Sequence, residues 1–227
     1  MQHKERLFKI FGWDIDTYSR HIDVYSALDF LIGALKKRKI KRVYSLLPSE
    51  VIRVLEMAGF KNTDKNPEIV VVGFDTELTY EKLKTACLLI QNGIPWFLAH
   101  PDIRCPWGRY FIPDSGSIGN LIEQVTGVKP IEIGGKPNPK MLDYMGLKYN
   151  TKREEIFFFG DRLTTDFEMA KLAGIGACVI LTGETHFDSF LEYMRSNKVT
   201  YDNEFYFCEN WYFLYRFIEV HTKQANY

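Results

Sequence analysis

Cysteine is scarce in this chain: four in 227 residues. Cys87, Cys105, Cys178 and Cys208 are scattered with no Cys-x-x-Cys pair among them. That spacing speaks against a disulfide scaffold and fits reduced thiols in a cytoplasmic protein. An excess of either charge is lacking too, with 29 Lys+Arg against 29 Asp+Glu. Without a basic stripe nothing draws a polyanion, so nucleic acid is not expected as a partner. No apolar run approaches the ~20 residues of a membrane helix, and the first residues, MQHKERLFKIFG, are charged where a signal peptide would be apolar. Internal repeats and low-complexity linkers are missing as well. The expectation is a cytoplasmic protein with no membrane partner, long enough for one or two domains.

What is present is alternation of helical and strand patterns from end to end, the pattern of an α/β fold. Residues 23–37 read as a helix with Leu28, Leu31, Ile32 and Leu35 on one face. Lys41 to Leu47 reads as a strand, and Ser49 as the cap of a helix carrying Val51, Val54, Leu55 and Met57 to Gly59. Pro67 to Gly73 is a buried strand by its unbroken β-branched run. Thr79 caps the next helix, whose apolar stripe is Tyr80, Leu83, Cys87 and Ile90, and Gly93 ends it. Pro95 to Ala99 is a strand, His100 to Ser115 a loop, and Asp114 a cap for the helix at about 116–125. A short strand at 131–133 leads through Gly134-Gly135-Lys136-Pro137 to another helix. Gly174-Ile175-Gly176 stops a helix before the strand Ala177 to Leu181.

The run Phe157-Phe158-Phe159-Gly160-Asp161-Arg162-Leu163-Thr164-Thr165-Asp166 carries the most chemistry. An apolar strand ends in glycine, an acid follows at once, and a second acid comes where a helix begins. Ligands bind at the carboxyl ends of strands in open α/β sheets. Two carboxylates there make a hard-oxygen pocket suited to a cation such as Mg2+, with phosphate as its natural companion. The plainer reading of Asp166 is helix capping, because Thr165-Asp166-Phe167-Glu168 fits a capping box. Lys136, after two glycines and before a proline, reads as an anion-binding residue at a helix start.

The order and spacing of Lys136, Gly160-Asp161 to Asp166, and Leu181-Thr182-Gly183 resemble the haloacid dehalogenase-like phosphatases, in the branch of the NagD-type and 4-nitrophenylphosphatase-like enzymes. Val72-Gly73-Phe74-Asp75, Leu78 to Leu83, Pro101-Asp102 and Gly116-Ser117-Ile118 are similar to that branch in the same order, and the likeness covers about residue 25 to Thr185. The resemblance implies a Rossmann-like core with an inserted α/β cap, Mg2+ and an aspartate nucleophile. It implies Lys136, Asp161 and Asp166 as catalytic residues, with Asp161 and Asp166 at the metal. It also implies a cap loop whose His100 and Asp102, with Arg162 from the core, contact the substrate; a solvated turn is the alternative for that loop. His100, Asp102 and Cys105 by themselves make a weak zinc set.

The family's first motif, a strand ending in Asp-x-Asp-Gly-Thr, is missing. Gly12-Trp13-Asp14-Ile15-Asp16-Thr17 resembles a degraded copy, although Lys9 to Gly12 is a poor buried strand and Asp14 and Asp16 read better as solvated acids. The expected organisation is a core remnant over 1–22, an α/β cap over 23–128, and the C-terminal half of the core over 129–227. The expected function is Mg2+-dependent hydrolysis of a small phosphomonoester through an aspartyl-phosphate, impaired here because the nucleophile motif is not found. The alternative is a catalytically inactive remnant that binds a ligand or partner. A small phosphorylated metabolite is the expected ligand, and a homo-oligomer or a completing chain the expected protein partner. The aromatic stretch 205–215 is expected to pack a last strand and helix on the core.

Overall fold

Helix and strand alternate through the 25–196 and 205–210 segments that the computed structural model describes. The expectations for residues 1–22, for Asp14 and Asp16, and for a helix after residue 210 lie outside the described residues.

Helix α1 (Ala27–Lys37) starts at Ser26, whose hydroxyl accepts from the Asp29 N–H while the Asp29 carboxylate accepts from the Ser26 N–H. This reciprocal box satisfies two of the donors that a helix start leaves open. Strand β1 (Arg42–Leu46) follows, then α2 (Ser49–Met57), β2 (Lys61–Asn62), β3 (Ile69–Val72), α3 (Tyr80–Gln91) and β4 (Trp96–Leu98). Ser49 does not cap α2. Pro48 holds the cap position, and Glu77 accepts from both the N–H and the hydroxyl of Ser49. Val54 and Met57 are exposed and only Leu55 of the expected α2 stripe is buried. The helix presses a narrow face on the sheet.

The expected loop His100 to Ser115 contains an antiparallel hairpin, β5 (Arg104–Trp107) and β6 (Tyr110–Pro113), turning at Gly108 with φ +60°. Its residues are largely exposed, so no in–out alternation marked it in the sequence. Helix α4 (Ser115–Thr126) and β7 (Glu132–Ile133) complete a parallel sheet of order β2-β1-β3-β4-β7. This sheet runs past residue 128, where a domain boundary was expected.

The sheet is covered on both faces, as parallel sheets are. Ile69, Val71 and Phe97 point to α1 and α2, whereas Val70, Val72, Trp96 and Leu98 point to α3 and α4. The residues beyond β7 build a second parallel sheet of order β10-β9-β8. Its elements are α5 (Lys140–Tyr149), β8 (Phe157–Gly160), a π-helical turn at Leu163–Phe167, α6 (Glu168–Ala173), β9 (Gly176–Ile180), α7 (Phe187–Ser196) and β10 (Phe205–Cys208). Helix α5 belongs to both halves. Leu142 is in the core of the second sheet, while Met141 and Tyr144 pack on the first. Tyr144 meets Phe30 edge-on at 5.3 Å, and a Cβ on Gly33 would sit 2.4 Å from the Tyr144 ring. None of the described helices is long and apolar enough to cross a membrane.

Glu132 on β7 ties these parts electrostatically. Its side chain is 4% exposed, bonded to Lys140 Nζ at 3.0 Å and to the Arg38 guanidinium. Burial raises its pKa, but the bonds from Lys140 and Arg38 more than offset this and hold the carboxyl below its ordinary value of 4.5. A depressed carboxylate adds stability above its unfolded pKa and loses it as pH falls through the folded one. Glu132→Gln is therefore expected to cost about 1–3 kcal/mol at pH 7. That difference should shrink below pH 4.5, as read from urea unfolding at both pH values. An unchanged difference at low pH would contradict the assignment.

Candidate active site

Two glycines allow the carboxylates to sit where they do. Strand β8 ends at Gly160, and a Cβ there would lie 2.3 Å from the Asp166 Cβ. A Cβ on Gly183, in the loop after β9, would lie 2.1 Å from Asp161 Oδ2. Asp161 thus lies against bare backbone. Its Oδ2 accepts from the Glu184 N–H at 3.0 Å and its carbonyl from the Thr185 N–H at 3.1 Å. No described residue bonds its Oδ1.

Asp166 is buried in the π-helical turn, and both its oxygens are engaged. Oδ1 lies 2.5 Å from Lys136 Nζ, and Oδ2 accepts from the Arg162 N–H at 3.2 Å. The capping-box reading of Thr165 and Asp166 fails here. Thr165 Oγ1 is buried without a hydrogen-bond partner, and Phe167 occupies the cap position of α6. Asp166 is committed to a tertiary contact.

Lys136 follows β7 in the Gly134-Gly135 loop. Gly135 takes φ +66°, and a Cβ there would be 2.5 Å from the His100 Cβ, so the glycine lets this loop close on His100. Lys136 does not stand at the α5 N-terminus, which begins at Lys140. It reaches across to Asp166 instead.

A cleft of about 420 Å³ opens between the two sheets. Lys136, Arg162, His100 and Asp102 line it, with Phe158 and Met145 among its apolar walls. Asp161 and Asp166 do not line it and connect to it through Arg162 and Lys136. Arg162 Nε lies 2.7 Å from Glu184 Oε2, an ion pair open to solvent that lacks hydrogen-bond alignment at Nε. On the other wall, His100 stands between two acids. Nδ1 is 3.6 Å from Asp102 Oδ2 and Nε2 is 3.5 Å from Asp114 Oδ1. Among the described residues these are the three metal-competent side chains found together, with donors within 4.8 Å of one another. Cys105 is not of the set; its Sγ faces the Pro106 carbonyl.

Sequence reading missed Glu184 and the second use of Asp114. Asp114 does cap α4, accepting from the Ser115 N–H at 2.6 Å. Nothing in a cap signature says that the same carboxylate faces a histidine. Glu184 follows the Thr182-Gly183 pair and carried no motif of its own. The site combines an open carboxylate oxygen, a lysine set by a second carboxylate, and an arginine paired at its edge. Such a place suits a cation and a phosphoryl group together.

Residues 133–202 match the profile of the HAD-hydrolase-like family. The ribonucleotide monophosphatase NagD of Escherichia coli is 29% identical over 181 residues, covering 80% of this chain and 69% of that protein. The 5'-nucleotidase YutF of Bacillus subtilis is 31% identical over 150 residues, 66% of this chain and 58% of its own length. Among solved structures, a 4-nitrophenylphosphatase from Thermotoga maritima superposes with a TM-score of 0.76 at 32% identity, over 91% of this chain and 77% of that one. The chain spans only part of each of these relatives.

Proposed function

The chain belongs to the haloacid dehalogenase-like hydrolases, in their NagD and 4-nitrophenylphosphatase branch, and from that premise we propose that it hydrolyses a small phosphate monoester with Mg2+ as cofactor. The observation that carries the reading is the contact of Lys136 with Asp166 at the mouth of the Asp161 turn. It joins a cation that can meet a phosphoryl oxygen to the acids that can hold a metal.

The donor set fits Mg2+, which takes one or two carboxylates and keeps several waters. Asp161 would hold the ion through its open oxygen, with Asp166 beside it. When bound, the ion neutralises charge spreading over the phosphoryl oxygens. Lys136 supplies positive charge from the protein side, and its bond to Asp166 fixes where that charge sits. Arg162, close to Glu184, adds a second cation to the wall. His100 and Asp102 face the part of the substrate that is not phosphate. The phosphatase and nucleotidase names of the relatives support a small phosphorylated substrate.

The covalent step of this reading needs an attacking carboxylate, for which Asp14 and Asp16 are the candidates in this sequence. The second reading is a catalytically silent relative that binds phosphorylated ligands in the same cleft, lined by Lys136 and Arg162. Hydrolysis of 4-nitrophenyl phosphate separates the two. The enzyme reading expects turnover with Mg2+ that a chelator abolishes. A folded chain with no turnover at any Mg2+ concentration would leave the binding reading.

A further inference from the structure

Cys178 and Cys208 stand side by side in the second sheet, with Sγ 3.3 Å from Sγ. Strands β9 and β10 run parallel with Cys178 opposite Tyr206 and Cys208 opposite Ile180. The two cysteines are thus diagonal neighbours, and side chains two residues apart along a strand share a face. That face carries a small cluster of Cys178, Ile180, Phe159, Tyr206 and Cys208, on the side away from the larger core. Cys178 is enclosed, while Cys208 is partly open to solvent. We propose that these two thiols form an intramolecular disulfide when the protein meets a peroxide.

Access sets the order of events. Cys208 is the sulfur an oxidant reaches. Burial, with the neighbouring Cys208 adding to it, pushes the Cys178 thiol up, so Cys178 is the slower sulfur and reacts second. The Cys208 sulfur attacks a peroxide oxygen, the O–O bond breaks and water leaves, giving a sulfenic acid. The Cys178 sulfur then attacks the Cys208 sulfur and its proton passes to the departing hydroxide, so that the S–O bond breaks, the S–S bond forms and a second water leaves. In sum, two thiols lose two hydrogen atoms and one hydrogen peroxide becomes two waters. The sulfurs must close from 3.3 Å to about 2.05 Å. Strand β9 leads into the Gly183 loop that packs on Asp161, so the bridge fastens the strand supporting the candidate metal turn.

The test is non-reducing peptide mapping of the full chain after hydrogen peroxide, with free thiols alkylated. The expected result is a Cys178–Cys208 linked peptide about 2 Da lighter than the two thiol peptides, with Cys87 and Cys105 alkylated and the link undone by dithiothreitol. Cys178→Ala should leave Cys208 without its resolving partner and drive it to the sulfinic acid, while Cys87→Ala should leave the link intact. Alkylation of both Cys178 and Cys208 after peroxide would overturn the proposal, as would a bridge through Cys105 or between two chains.

Discussion

Asp161→Asn is expected to remove Mg2+-dependent turnover while leaving the fold in place. Asparagine keeps the size of the side chain and can still accept from the Glu184 N–H, so the turn after β8 has no reason to move. What disappears is the charge on the open oxygen. A metal at a phosphoryl centre contributes several kcal/mol of transition-state stabilisation. At about 1.4 kcal/mol per decade the loss is about 10³-fold or more. Thermal melting should shift little, and Mg2+ titration by calorimetry should lose its signal. Turnover within threefold of the parent would remove Asp161 from the metal and with it the proposed chemistry.

Lys82→Ala carries the largest expected effect on stability. The Asp75 side chain is 0% exposed and bonds Lys82 Nζ at 3.0 Å and the Glu77 N–H at 2.9 Å. Removing one partner of a buried ion pair leaves an uncompensated charge, at a cost of about 3–5 kcal/mol. Asp75→Asn in the same chain should recover part of it, because the residue left behind no longer needs a cation. Urea midpoints of the single and double variants measure both effects. A loss under 1 kcal/mol in the single variant would mean that water reaches Asp75 once the lysine is gone. Nothing in the sequence marked the lysine on the next helix as the partner of Asp75.

Elements whose signal is local could be read from sequence. The run Ile69–Val72 is apolar at every position because both faces of β3 are covered. The strand ending in Gly160-Asp161 stood out because an acid has no packing use there. Features resting on distant contacts could not be read. Ser49 looks like a cap until Glu77, from beyond the next two strands, takes its N–H. Asp166 looks like a helix-start acid until Lys136 reaches it from a loop 30 residues away. The hairpin at 104–113 was hidden for the opposite reason, since a ribbon exposed on both faces has no hydrophobic period to betray it. Family likeness did best where backbone geometry dictates the residue, as at Gly160 and Gly183, whose neighbours leave no room for a Cβ.

Helix α5 makes the two sheets thermodynamically inseparable. Leu142 belongs to one hydrophobic core and Tyr144 to the packing of the other, on a single rigid rod. Neither sheet can melt without stripping α5 of half its partners, and the survivor would expose the face left behind. Cooperative units of unfolding are set by such shared elements rather than by sheet boundaries. The floor of the cleft, to which Met141, Leu142 and Met145 of α5 contribute, is thus built from an element that both cores share. Lys136, just ahead of α5, is presented from that floor.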